Sequence, residues 1–282
     1  MMKHIPVLLD AVMDTLGNVH GLRILDATFG AGGYTRAFLD GGASVVAFDR
    51  DPNVFDDANF IKHQFGERFE FVARPFSTMG ELNDAFDAIV FDLGISSMQI
   101  DNPERGFSFR ADAALDMRMS GAGPTICDMF EQWSAGDIAK ILREYGDVRP
   151  AVAIANAIKQ KVPKTTFELR DLIHNPRDVA PVFQALRIAL NDEMGELERA
   201  LMAVPDLLKV GGKCICVTFH SLEDRIVKNT FRDWTGVAGD PRLPNVSRPR
   251  FELIRARTPD KKEIDRNSRA RSAHMRGVVK SY

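Results

Sequence analysis

A glycine-rich turn between two apolar runs limits the folds open to this chain more than any other feature. It reads Leu25-Asp26-Ala27-Thr28-Phe29-Gly30-Ala31-Gly32-Gly33-Tyr34. Three glycines in four positions allow a sharp reversal and let a ligand approach bare main chain. A second apolar run, Val45-Val46-Ala47-Phe48, ends in Asp49. A glycine turn after one strand, with a carboxylate at the tip of the next, is a nucleoside-binding arrangement, because the carboxylate accepts from ribose hydroxyls. The order here is Gly-x-Gly-Gly after Asp26. Dinucleotide folds use Gly-x-Gly-x-x-Gly and rest pyrophosphate on a helix N-terminus. S-adenosylmethionine has no phosphate and carries an amino group and a sulfonium. An acidic residue beside the loop suits it better. From the loop alone, a nicotinamide nucleotide and an unliganded tight turn remain alternatives.

The surrounding pattern is α/β. Residues 22–27, 44–48, 69–73 and 88–91 read as short buried strands, with helices predicted over 34–40 and 52–64. Gly41-Gly42 would stop the first helix, and Pro52 would open the second. Strands separated by helices imply a parallel sheet covered on both faces. The alternation stops between 102 and 181. Helices over 134–145 and 150–160, and a capping box at Thr165-Thr166-Phe167-Glu168, mark this stretch as an all-helical insertion. Phe183, Leu186, Leu190, Met194, Leu197 and Leu201 then step by three or four, predicting one buried helical stripe. A Gly211-Gly212 turn leads into a fifth strand over 213–219, and 251–256 is a candidate for one more. The domain expectation is therefore 1–101 with 182–282 around a helical domain at 102–181.

Composition narrows the class. The 282 residues are 45% apolar with no run of eighteen apolar residues, so no membrane span is expected, and the N-terminus offers no signal peptide. Cys127, Cys214 and Cys216 form neither a disulfide framework nor a zinc spacing, which suits a cytoplasmic protein without a metal. Net charge is −2, but twelve Lys or Arg against four Asp or Glu fall within 242–282. A basic tail on an acidic body is a candidate phosphate-contacting surface, against the plainer reading of a solvated extension.

Ligands of open parallel sheets bind beyond the carboxyl ends of the strands. Asp26, Gly30, Gly32 and Gly33 follow strand one, and Asp49 ends strand two. Phe76, after strand three, is a candidate for an adenine face. Asp92-Leu93-Gly94-Ile95-Ser96-Ser97 ends strand four, and His220-Ser221 ends strand five. A short polar motif at strand four can accept hydrogen bonds from an exocyclic amine and aim its lone pair at a methyl donor, with no covalent nucleophile. Asp92, Ser96 and Ser97 are the candidates. Carbon-5 methylation of a pyrimidine would need a thiolate. Cys214 and Cys216 lie two apart in strand five, short of its tip, and are expected in the core. His220 is open between a base or substrate-binding group and a structural histidine bonded to Ser221 or Glu223.

Longer segments carry a resemblance. These are His4-Ile5-Pro6-Val7-Leu8-Leu9, Asp26 to Gly33, Phe48-Asp49-Arg50-Asp51-Pro52, the run Phe91 to Asp101, Glu104-Arg105-Gly106-Phe107-Ser108-Phe109-Arg110 and Leu115-Asp116-Met117-Arg118-Met119. Later come Phe183-Gln184-Ala185-Leu186-Arg187-Ile188, the run Phe219 to Lys228, and Arg269-Ala270-Arg271-Ser272-Ala273. Through them the chain resembles the bacterial small-subunit ribosomal RNA methyltransferase H family, which makes N4-methylcytidine in the decoding region of 16S-type rRNA. The resemblance implies a class I, Rossmann-like methyltransferase domain with a helical domain inserted after strand four. It implies S-adenosylmethionine as cofactor, held at Gly32, Gly33, Tyr34, Asp49, Phe76, Asp92 and Gln99, with Asp26 and Gly30 completing the loop. It implies an RNA substrate, naked or in the assembled small subunit. Arg105, Arg187, Arg225, Arg269, Arg271 and Arg276 are then candidate RNA contacts, and Phe109 and Phe219 candidates to stack on an unpaired cytosine. A homodimer stays open.

The chain departs from the family pattern at three places. Tyr34 stands where the family has His. Arg177-Asp178-Val179-Ala180-Pro181 replaces a His-Pro-Ala-x-Arg stretch, and the helix expected over 150–160 is poorer in arginine. A small-molecule methyltransferase and a non-catalytic ribosome-assembly factor are the rival readings.

Overall fold

The computed structural model describes residues 6–236 and 250–282. The elements run α1 (Leu9–Leu16), β1 (Arg23–Asp26), α2 (Gly33–Asp40), β2 (Ser44–Phe48), α3 (Phe55–Phe65), β3 (Phe69–Val72), β4 (Phe86–Asp92), α4 (Ser97–Asp101), α5 (Ile126–Gln132), α6 (Ala135–Gly146), α7 (Ala151–Lys161), α8 (Thr166–Asp171), α9 (Pro176–Asn191), α10 (Glu193–Leu207), β5 (Leu208–Thr218), α11 (Ser221–Thr235), β6 (Phe251–Arg257), α12 (Lys261–Arg266) and β7 (His274–Lys280). They divide into two compact units. One joins Met1–Gly94 to Met194–Tyr282, and the other is Ile95–Glu193. Among the described residues, no helix is long and apolar enough to cross a membrane.

The first unit is a seven-stranded sheet in the order β3-β2-β1-β4-β5-β7-β6. The first five strands pair in parallel, whereas β7 runs antiparallel between β5 and β6. The chain order reverses beside β1, the switch point at which an open α/β sheet leaves a crevice. One face buries Leu25, Val46, Ile89, Phe91, Cys214 and Cys216 against Leu197, Leu201 and Val204 of α10 and Val227 and Phe231 of α11. α2 and α3 pack on β1, β2 and β3. Each fully buried Phe or Leu contributes about 1.5–3 kcal/mol, so these alternating apolar positions hold the sheet to its covering helices. Cys214 and Cys216 are fully buried, as their spacing in the strand predicts.

Several boundaries move. The sequence left 274–280 within a basic tail, but it forms β7, an interior strand whose Met275, Gly277 and Val278 are buried. The Gly211-Gly212 turn lies inside β5. Phe86 pairs with Leu208 and Ala88 with Lys213, so the intervening residues bulge out, with Gly211 at φ +80°. Helix 52–64 begins as a 3-10 turn, Pro52–Val54, capped by Asp51, before α3.

The second unit is helical and has its own core. Ile138 and Leu142 of α6, Ile154 and Ile158 of α7, and Val182 and Leu186 of α9 pack with Phe130 and Leu169. Capping boxes at Thr125, Ser134 and Thr165 start α5, α6 and α8. The unit, 95–193, is longer than the 102–181 insertion expected from sequence. Pro181 reads as a boundary, yet it sits inside α9, in the second turn, where its missing N–H removes a helical hydrogen bond. The predicted single stripe from Phe183 to Leu201 is two helices. Asp192 adopts the left-handed conformation at φ +50° and ends α9. Phe183 and Leu186 then belong to the helical core, and Leu197 and Leu201 to the sheet core.

Candidate active site

The crevice side of the sheet is organised by carboxylates at strand ends. Asp26 ends β1 fully buried. Its Oδ1 accepts from the Thr28 amide at 3.1 Å, and its Oδ2 from the Thr35 hydroxyl at 2.6 Å. Thr28 Oγ1 in turn accepts the Asp92 amide at 2.6 Å. Asp26 therefore ties the glycine turn to α2 and, through Thr28, to the tip of β4. Burial pushes its carboxyl up to about 6, the hydrogen bonds from Thr35 and Thr28 opposing the rise. Its side chain lies beneath the loop, committed to the fold, and does not reach toward a ligand as expected.

Asp49 bridges the next two turns. Its Oδ2 accepts from Gly30 N–H at 2.8 Å and its Oδ1 from Asp51 N–H at 2.8 Å. Each oxygen keeps a second lone pair, which is the capacity that two ribose hydroxyls require. Burial raises its pKa against those two backbone bonds. Gly30, at φ +53°, faces open space, since a Cβ there would meet nothing within 4 Å. Gly32 differs. It caps α2 at φ +73°, and a Cβ would come 2.6 Å from Ile61 Cδ1. At Gly33 a Cβ would collide with the Pro6 ring. Those two glycines are required by the chain's own packing, and the open approach is at Gly30.

Tyr34 does not line the crevice with its side chain. It is 3% exposed, and its hydroxyl donates to the Val7 carbonyl oxygen. Phe76, half-buried, follows β3 and meets Phe91 edge-on at 5.9 Å. Its ring is already held from one side, as a platform for a flat ligand must be.

Asp92 is, with Glu196 and His220, one of three side chains of the sheet unit with a buried polar atom lacking a hydrogen-bond partner among the described residues. Its Oδ1 is buried and has no hydrogen-bond partner among the described residues. Burial pushes its pKa well above the carboxylate range, and Asp26 and Glu223 add to the rise. A buried orphan acceptor costs about 1–3 kcal/mol, so a group that donates to it when bound recovers that cost.

At the tip of β5, His220 is the N-cap of α11. Its Nδ1 accepts the Glu223 amide at 3.4 Å. Its Nε2 is buried, 3.1 Å from Glu223 Oε1 but without hydrogen-bond alignment. The Glu223 contact is the one expected of a structural histidine, and Nε2 stays without a hydrogen-bond partner among the described residues. Glu223, not singled out from sequence as a site residue, is 2% exposed and accepts the Phe219 and His220 amides on Oε2 at 2.8 and 3.3 Å. The signal was present, because His220 and Glu223 have capping-box spacing.

Ser96 and Gln99 belong to the helical unit and form the capping box of α4. Ser96 Oγ accepts the Gln99 amide at 3.2 Å, and Gln99 Oε1 accepts the Ser96 amide at 3.0 Å. Both expected ligand contacts are thus helix-starting contacts. The Ser97 side chain lies outside the described residues.

The MraW methylase family matches this chain over residues 1–281. The chain belongs to that family. It is similar to proteins named ribosomal RNA small subunit methyltransferase H. The one from Brucella anthropi is 43% identical over 304 aligned residues, covering 99% of this chain and 88% of that protein. Those from Mesorhizobium japonicum and Rhizobium meliloti are each 44% identical, with the same coverage. The sheet order and the strand-end carboxylates described above are therefore the frame of an MraW methylase.

Several residues expected at RNA in this MraW methylase are held elsewhere. Arg187 forms a bidentate ion pair with Glu193, Nε to Oε1 at 2.7 Å and Nη2 to Oε2 at 3.0 Å, both side chains about nine-tenths buried. Arg276 is bidentate to Asp224 at 2.7 and 2.8 Å, which lowers the Asp224 pKa. Arg105 donates to the carbonyls of Arg118 and Met119 and lies over the Phe107 ring. Phe109 packs edge-on to Phe183 at 5.3 Å, half-buried in the helical core. Phe219 is half-buried beside Gly94. Arg225, Arg269 and Arg271 are exposed. Residues 237–249, which include the first part, 242–249, of the basic stretch, and the His4-Ile5 start of the first matched segment lie outside the described residues.

Proposed function

We propose that this protein transfers the methyl group of S-adenosylmethionine to N4 of a cytidine in the decoding region of small-subunit ribosomal RNA. Membership of the MraW methylase family, with relatives named for the ribosomal small subunit, supports the class of reaction. The observation that carries the site assignment is the buried, unpartnered Oδ1 of Asp92 at the tip of β4. The residues present fit the cofactor, with an open glycine at Gly30, a carboxylate with spare lone pairs at Asp49, and a braced aromatic ring at Phe76.

When bound, S-adenosylmethionine supplies an electrophilic methyl group beside a sulfonium. Asp49 holds the ribose hydroxyls, and Phe76 covers one face of the adenine. Asp26 and Thr28 keep the turn in place without touching the ligand. Asp92 Oδ1 accepts from the exocyclic amine, orienting the nitrogen lone pair, and takes the proton as nitrogen becomes tetravalent. Burial raises the Asp92 pKa, which makes its ionised form a stronger proton acceptor. No nucleophilic side chain is required. Phe219 stacks on the cytosine. Arg225, Arg269 and Arg271 meet phosphates, and the helical unit contributes to substrate recognition. The enzyme works in the cytoplasm on rRNA or the assembled small subunit.

The test uses labelled cofactor and purified small subunits, with digestion of the RNA and identification of the modified nucleoside. Labelled N4-methylcytidine is the expected product. RNA binding without label transfer would instead mark an assembly factor, and transfer to small molecules alone would remove RNA as substrate.

A further inference from the structure

We infer that Glu223 is a positioning residue, whose buried carboxylate fixes the β5–α11 turn that presents Phe219 to the methyl acceptor. The inference rests on the methyl-transfer reading above. Three observations carry it. First, Glu223 Oε2 gathers the consecutive amides of Phe219 and His220, the two residues between the strand end and the helix start. Without it, both N–H groups would lose their acceptor at a largely buried turn. Second, Glu223 holds His220 through its own amide, so one residue fixes both members of the turn. Third, the turn lies against the loop that follows Asp92. A Cβ at Gly94 would stand 3.5 Å from Phe219 Cδ2 and 3.7 Å from Glu223 Oε1. Strand four's loop therefore passes beside the buried carboxylate that holds strand five's tip.

The electrostatics favour a positional role over simple stabilisation. Glu223 lies close enough to Asp92 to raise its pKa, so a charged cap here disfavours the ionised form of Asp92. A neutral cap would start α11 without that effect. What the carboxylate adds is an acceptor strong enough to hold two amides on one oxygen. A stacking ring must be placed to within a fraction of an ångström to help a transfer, and misplacement by about 1 Å can cost on the order of a hundredfold in rate.

The experiment compares Glu223→Ala and Glu223→Gln in the full chain, using kcat and KM on small subunits, cofactor affinity by calorimetry, and amide hydrogen exchange at Phe219 and His220. Glu223→Ala should lower kcat about thirtyfold or more, leave cofactor affinity within about twofold, and lose protection at Phe219. Glu223→Gln keeps one oxygen for the Phe219 amide and should recover most of that loss, staying about three- to tenfold below the parent. If the Ala variant does not fold, the Gln variant decides alone. A parental kcat in either folded variant overturns the inference, and so does a loss confined to cofactor affinity. A parent protein that makes no N4-methylcytidine would sink the methyl-transfer reading itself, while exchange at Phe219 would still report whether Glu223 holds the turn.

Discussion

At the scale of single residues, the strand-end carboxylates differ in task although each is an aspartate after an apolar run. Asp49 has spare lone pairs and lies at an open glycine. Its replacement by Ala should weaken S-adenosylmethionine binding by about 2–3 kcal/mol, roughly 30- to 160-fold in dissociation constant by calorimetry. Unchanged affinity would remove Asp49 from the ribose. Asp26 is spent on the fold, and its test is pH. Its folded pKa, about 6, is raised from the ordinary 3.8. The native state therefore holds this proton more tightly than the unfolded chain. The stabilisation is complete below about pH 4 and is lost as pH rises through 6, on the order of 3 kcal/mol by neutrality. Asp26→Asn cannot titrate, so the stability difference between parent and variant in urea should change by about that amount between pH 4 and 7. A constant difference would contradict the burial argument. The sequence placed both aspartates correctly at strand ends. It could not separate their tasks, because the separation depends on Thr28 and Thr35, whose hydroxyls reach Asp26 and Asp92 only once the loop has folded.

At the scale of elements, β1 to β6 were legible as strands, and the strand hidden in the basic C-terminal stretch was not. Residues 44–48 coincide with β2, whose last four residues are all buried, and 69–73 overlaps β3, an edge strand with Phe69 buried and Glu70 exposed. β7 escaped because Arg276 and Lys280 gave it the composition of a tail. Both cations are satisfied inside the protein, by Asp224 and by the carbonyls of Pro205 and Leu208. The same blindness affected α9. Arg187 looked like an RNA contact because a single sequence does not reveal the pairing with Glu193. Arg187→Ala should therefore act on stability, costing about 3 kcal/mol by stranding a buried carboxylate, read as a lowered urea midpoint. Arg271→Ala should leave that midpoint unchanged and reduce the salt slope of RNA binding by about one. The opposite pattern would restore Arg187 to the RNA surface. Gly32→Ala, at φ +73° and crowding Ile61, should destabilise by about 1–2 kcal/mol in the same assay.

At the scale of the whole molecule, two cores are built from one chain that leaves the sheet unit after Gly94 and returns at Met194. The cofactor contacts proposed here come from the sheet unit alone. Leu142→Ala empties a fully buried position of the helical core and should cost about 2–5 kcal/mol there. Calorimetry should find S-adenosylmethionine affinity within about twofold of the parent at a temperature where both are folded, and a tenfold loss would place cofactor contacts in the helical unit.

The sheet also dictates an order of assembly. Among the described residues β6 pairs with β7 alone, yet β7 is the later of the two to be synthesised and must slot between β6 and β5. Until that last strand leaves the ribosome, β6 has no neighbour to pair with, and the edge of β5 that β7 will cover stays exposed on a nascent chain. A methylase of this topology thus completes its sheet only after β7 has been synthesised.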